Sequence, residues 1–252
     1  MSQVKSKILG LFLFLIIIAT LIFIALIPEN NAETKINSVN ILNNYLISKE
    51  SYLNFAKLDQ SHSLSEITLP IILGRLSKHP FVYKADLEEV DSGNVKIKIH
   101  EKKLIARIII NEQTFLLTDE LQLLPQLPNM NLIDLPAISN MSRNQDYVVL
   151  SFLQNKEIAA ARDVIHLLKN INSDIYSALS EINVNEGKEL TLIFSGIHPI
   201  IRIGITDVIR KVLIIDAVWD QLKDESSSLS QSDYLDLRLS NQVYFTSAKN
   251  EK

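Results

Sequence analysis

The chain has 252 residues, 47% of them hydrophobic, and its 25 basic and 29 acidic side chains give a formal net charge of −4. That acidic balance argues against nucleic acid and anionic lipid headgroups as partners. The absence of cysteine excludes a disulfide framework and thiolate chemistry, so stability has to come from packing.

From Ile8 to Ile27 the sequence ILGLFLFLIIIATLIFIALI runs without a charge. At about 1.5 Å rise per residue a helix of this length spans roughly 30 Å, the thickness of a bilayer's hydrocarbon core. The reading is a transmembrane helix over 8–27. A cleaved signal peptide has a shorter apolar core and a small-residue cleavage site, whereas Pro28, Glu29 and Asn30 follow Ile27 directly. Lys5 and Lys7 precede the segment and Glu29 and Glu33 follow it, which assigns 1–7 to a cytoplasmic stub and the bulk of the chain to the other side of the membrane. Setting those two lysines aside leaves 23 basic residues against 29 acidic ones, a charge near −6 for the exported part.

Lys35 to Leu42 alternates Ile36, Val39 and Ile41 with polar residues loosely enough to enter a domain as a strand. Ser48 is an N-cap candidate for a helix to Lys57 with Tyr52, Leu53 and Phe55 as its stripe. A second helix starts at Thr68 with Pro70 in its first turn, repeats Leu69, Ile72, Leu73 and Leu76 at helical spacing, and stops before Pro80. Two strands follow, Phe81 to Val90 and Asn94 to Lys102, joined by the turn Asp91-Ser92-Gly93-Asn94, and in the second Val95, Ile97 and Ile99 alternate with Lys96, Lys98 and His100.

Beyond Leu104, the stretch TFLLTDELQLLPQLP predicts a hairpin with an acidic turn at Asp119 and Glu120, followed by LIDLPAIS. A long helix is predicted over 148–169, with Leu150, Leu153, Ile158, Ala161, Ile165 and Leu168 inward. Strand candidates then centre on Ile182 and Val184, on Leu190 to Phe194, and on Pro199 to Ile205. Asp207 to Leu222 reads as a helix with Val208, Val212, Ile215, Val218, Trp219 and Leu222 in one broad stripe, and KDESSSLSQS as a loop. Last come YLDLRLSNQV, read as one strand, and VYFT.

The order strand, helix, helix, strand, strand over 34–103 resembles a POTRA domain. Leu76, Pro80 and Val82, then Ile97, Ile99, Glu101, Lys102 and Ala106, are similar to the corner and closing strand of that domain in the cell division proteins FtsQ and DivIB, with Leu104 where the motif has proline. Leu135-Pro136-Ala137-Ile138-Ser139, with Asn140 in place of glycine, resembles an element of that family's second domain. So do Gly204, Lys211 and Leu213, and so does Asp236-Leu237-Arg238. The resemblance implies an α+β chain with a transmembrane helix, a POTRA-like βααββ domain over 34–103, a β-rich domain of mixed strands with packed helices over 104–247, and a tail over 248–252.

Signals for chemistry are sparse. The five histidines, His62, His79, His100, His166 and His198, stand singly, with no metal-ligand spacing, and no glycine-rich phosphate loop or nucleophile elbow occurs. No catalytic, cofactor or metal residues are assigned. Asp236 and Arg238, two apart in a strand, face the same way and read as a pair that fixes register. The run Leu239, Ser240, Asn241, Gln242, Val243, Tyr244 and Phe245 lacks the charges and prolines that usually blunt a sheet edge, so it reads as an edge able to accept a strand from another chain. The resemblance implies that the acceptor receives a small coiled-coil subunit of the FtsB or DivIC type, together with FtsL. It further implies a non-enzymatic scaffold in the inner membrane at the division septum, without nucleic acid or small-molecule substrate. A membrane-anchored envelope enzyme and a POTRA-type envelope assembly factor remain as alternatives.

Overall fold

The computed structural model of the chain describes residues 13–22, 36–58, 64, 67–91, 93–131, 133–142, 146–185, 188–239 and 244–246. The molecule is α+β, built on two sheets. The expectation of a transmembrane helix over 8–27 is corrected: among the described residues no helix is long and apolar enough to cross a membrane. The described part of helix α1 covers 13–22, about 15 Å at 1.5 Å per residue, which is half of what crossing requires. Residues 8–12 and 23–27 of the expected span, the stub 1–7 and the tail 248–252 lie outside the described residues.

The first unit runs β1 (Ser38–Leu42), α2 (Lys49–Phe55), α3 (Leu69–Leu76), β2 (Val82–Asp91) and β3 (Asn94–Glu101). Its sheet has the order β1-β3-β2, with β1 parallel and β2 antiparallel to β3. Period-two alternation buries Val39, Ile41, Val95, Ile97 and Ile99 on one face, and Tyr52, Ile72 and Leu76 from the two helices join the same core. Each such aliphatic side chain removed from water contributes about 1.5–3 kcal/mol before entropy is counted. Ser48 caps α2 by accepting from the backbone N–H of Ser51, and Pro70 sits in the first turn of α3. Phe55, expected on the inner stripe, is exposed, and Ala56 takes the buried position.

The second unit begins one dipeptide later with β4 (Leu104–Ile110), β5 (Gln113–Thr118), β6 (Leu123–Pro125) and β7 (Ala137–Ser139). Then come α4 (Lys156–Ile171), α5 (Ser173–Ala178), β8 (Leu179–Asn183), β9 (Thr191–Phe194), β10 (Ile200–Arg202), α6 (Val208–Lys223), β11 (Tyr234–Asp236) and β12 (Tyr244–Thr246). Its nine strands are ordered β12-β11-β10-β9-β8-β7-β4-β5-β6. Helices α4 and α6 supply Ile158, Val164, Ile165, Leu168, Val212, Ile215 and Trp219 to the core built on this sheet.

Two predicted elements are corrected. The helix expected from Val148 starts only at Lys156. Residues 150–153 instead run beside β6, where Leu123 donates to Ser151 O (3.0 Å), Leu150 to Leu123 O (2.7 Å) and Leu153 to Leu121 O (2.9 Å). Leu150 has φ +71°, which no helix accommodates. The strand expected over YLDLRLSNQV ends at Asp236 as β11, and β12, in the following run, pairs antiparallel with it as Tyr234↔Thr246, Leu235↔Phe245 and Asp236↔Tyr244.

Candidate partner-binding edge

The register of the large sheet aligns one apolar side chain per strand across most of its width. Ile108 lies beside Ile138, Ile138 beside Ile182, Ile182 beside Leu192, Leu192 beside Ile201, Ile201 beside Leu235, and Leu235 beside Phe245. The six residues from Ile108 to Leu235 are at most 1% exposed, whereas Phe245 is 51% exposed. The reason is position: among the described residues β12 is the last strand in the order, so the ring has a strand neighbour on one side only. On the opposite face the row is polar, passing Asn183, Thr191, Arg202 and Asp236 to Tyr244, which is 48% exposed.

The two ends of the sheet are not alike. At the β6 end the segment through Leu150 and Leu153 supplies backbone partners, and the Gln122 amide donates to Leu150 O (2.7 Å). A covered edge cannot template a further strand, and an uncovered one can. Among the described residues no strand lies beyond β12.

Of the residues expected to form the acceptor, Tyr244 and Phe245 are in β12 and Leu239 is exposed after β11. Ser240, Asn241, Gln242 and Val243 lie outside the described residues. Asp236 ends β11, and Arg238, although beyond the strand, meets it: Arg238 Nε donates to Asp236 Oδ1 (2.9 Å) and Oδ2 (3.0 Å), and Nη2 donates to Oδ2 (2.5 Å). Arg238's own backbone N–H also donates to Asp236 Oδ1 (3.0 Å), and its Nη1 donates to Glu189 Oε2 (2.7 Å). These hydrogen bonds hold the Asp236 carboxyl below the ordinary carboxylate range, with the charges of Arg238 and Arg202 adding to them and burial opposing.

Glu189 and Lys211 complete the group and were not assigned from the sequence. Lys211 is buried on α6, donates from Nζ to Thr206 O (2.6 Å), and has its ammonium pKa pushed down by burial while Asp207 and Asp236 pull it up. A basic side chain inside the apolar stripe of α6 was the available signal for Lys211. Nothing in the spacing of Glu189 announces it.

Elsewhere, a cleft of about 460 Å³ is lined by Leu104, Arg107, Leu116, Leu127, Met130 and Leu135, among others, and among the described residues Arg107 is its one ionisable side chain. Among the described residues no group of three His, Asp or Glu side chains is placed to hold a metal ion. No protein-family model matches the chain, and no curated protein matches it.

Proposed function

We propose that the chain is a non-enzymatic scaffold of a bacterial division machinery, which captures a strand of another division subunit along β12. The observation that carries this reading is the apolar row that is buried across six strands and ends in the half-exposed ring of Phe245. A strand laid against β12 supplies the missing neighbour, extends the backbone ladder and leaves the polar side, ending in Tyr244, facing water. Aromatic side chains at such positions carry a disproportionate share of interface energy.

The sequence motifs resembling FtsQ and DivIB give the partner its class: a coiled-coil subunit of the FtsB or DivIC type, with FtsL in the same assembly, at the extracytoplasmic face of the inner membrane. The βααββ unit then offers a second surface for other division proteins. The test is co-purification of the full chain with a purified coiled-coil division subunit. Wild type is expected to retain it and Tyr244→Lys to lose it with its circular dichroism spectrum unchanged. Equal retention by both proteins removes β12 from the mechanism.

A further inference from the structure

We propose that Asp236 is the hub of a latch, formed with Arg238, Glu189 and Lys211, that clamps the end of β11 and thereby sets the register of the edge strand β12. The proposal rests on β12 being the docking edge, and it names what holds that edge in place.

The four side chains come from four separate places in the chain: the stretch entering β9 (Glu189), the second turn of α6 (Lys211), the end of β11 (Asp236) and the residue two beyond it (Arg238). Arg238 bridges two carboxylates, since its Nε and Nη2 hold Asp236 and its Nη1 holds Glu189. Bidentate guanidinium–carboxylate contacts fix orientation as well as distance. Glu189 is itself positioned, because the Asn185 amide donates to its other oxygen (3.1 Å). Leu237, between the two partners, is buried and donates its backbone N–H to Arg202 O (2.8 Å), so the chain leaving β11 is pinned by backbone and side chain together.

Gly204 lies against this cluster. It has φ +63°, a conformation that favours glycine, and a Cβ placed there would stand 3.8 Å from both Arg238 Cγ and Lys211 Nζ. The Lys211 ammonium and the aliphatic stem of Arg238 therefore flank the same residue, and the Asp236 charge acts on both basic groups. In the register of the sheet Asp236 stands directly beside Tyr244 of the edge strand. Whatever fixes the backbone at Asp236 also fixes which residue of β12 is offered to a partner, and a one-residue slip would turn Phe245 to the polar face.

Hydrogen exchange of the full chain, read without any partner, tests the latch. In Glu189→Gln and in Arg238→Lys the peptide spanning 234–246 is expected to exchange about tenfold faster or more, while 179–194 keeps its protection. In wild type, raising the salt to about 1 M is expected to speed exchange in 234–246 selectively, by screening the cluster. Unchanged exchange at 234–246 in both variants and in salt overturns the latch, as does equal loosening of 179–194. Because the measurement contains no partner, its failure is distinct from a failure of strand capture: faster exchange in the variants with no binding by wild type condemns the docking reading alone, and faster exchange with intact binding by the variants condemns the link between latch and edge.

Discussion

His79 is buried with its ring edge-on to Tyr52 and Phe55, both at 4.6 Å between centroids, and near Phe81 at 6.0 Å. Its Nδ1 accepts the backbone N–H of Phe81 (3.2 Å), which puts the proton of the neutral ring on Nε2. Burial first, and the charge of Lys102 second, push its pKa from 6.5 down to about 4. A depressed pKa means that the folded state binds the proton more weakly than the unfolded state, so stability is full above pH 6.5 and falls as pH drops toward about 4. Asp119 and Asp236, held below the ordinary carboxylate value of 3.8, act in a lower window and leave this one to the histidine. Urea unfolding midpoints are expected to be flat between pH 9 and 7 and to decline through the histidine window. In His79→Leu that decline should shrink; an unaltered slope would assign it to other groups. Nothing in the isolated position of His79 in the sequence distinguishes it from a surface histidine, since Tyr52 and Phe55 reach it from α2 and Phe81 from the turn before β2.

At the scale of elements, strong periodicity was readable and short irregular pairing was not. The cap of α2, the stripes of α3 and α6, and the alternation in β3 are written in local sequence because each buries a face against one neighbour. The segment 148–153 misleads because Val148, Val149, Leu150 and Leu153 repeat at spacing that suits a helix, yet all but Leu153 are exposed and the backbone pairs with β6. The turn carrying Leu150 at φ +71° costs a branched residue about 1–2 kcal/mol. Leu150→Gly is therefore expected to leave stability unchanged or raise it by up to about 1 kcal/mol, where glycine elsewhere in an ordered element lowers it. Chemical denaturation reads this directly, and a loss of more than about 1 kcal/mol would show that the exposed leucine side chain contributes packing instead. The end of β11 at Asp236 was equally hidden, because Leu237 and Leu239 continue the apolar and polar alternation of a strand.

Across the whole molecule the two sheets share material. Leu116, Leu124 and Leu135 of the second unit are buried in the core of the first, Ile47 bridges to Met130, and Asn131 donates its backbone N–H to Leu46 O (2.9 Å). The connecting dipeptide is held as well: Lys102 Nζ donates to Gln122 Oε1 (2.6 Å), and Lys103 pairs with Asp119 (3.2 Å), which also meets His166. Contacts of this kind between units make unfolding cooperative. Wild type is expected to melt in one calorimetric transition, and Leu124→Ala, at a cost of about 2–5 kcal/mol, to lower and broaden it or divide it in two. Two well-separated transitions in the wild type would contradict the shared core. The passage from one sheet to the next near Lys103 was visible as a change of pattern, whereas the sharing of leucines across it was not, because inward-facing side chains do not reveal which core they enter. The proposed acceptor run was marked in the sequence only by its lack of blunting residues; the pairing of Tyr244 and Phe245 with β11, and the cluster behind it, depend on contacts between residues far apart in sequence.

The most direct measurement is the affinity of the full chain for a purified coiled-coil division subunit of the FtsB or DivIC type, comparing wild type with Phe245→Asp and Ile209→Asp. Both side chains are exposed, at 51% and 63%, but only Phe245 terminates the buried row. The account predicts binding by wild type and by Ile209→Asp, with a loss of about 30-fold or more in Phe245→Asp while its thermal unfolding is unchanged. Wild-type affinity in Phe245→Asp, or loss confined to Ile209→Asp, would contradict it.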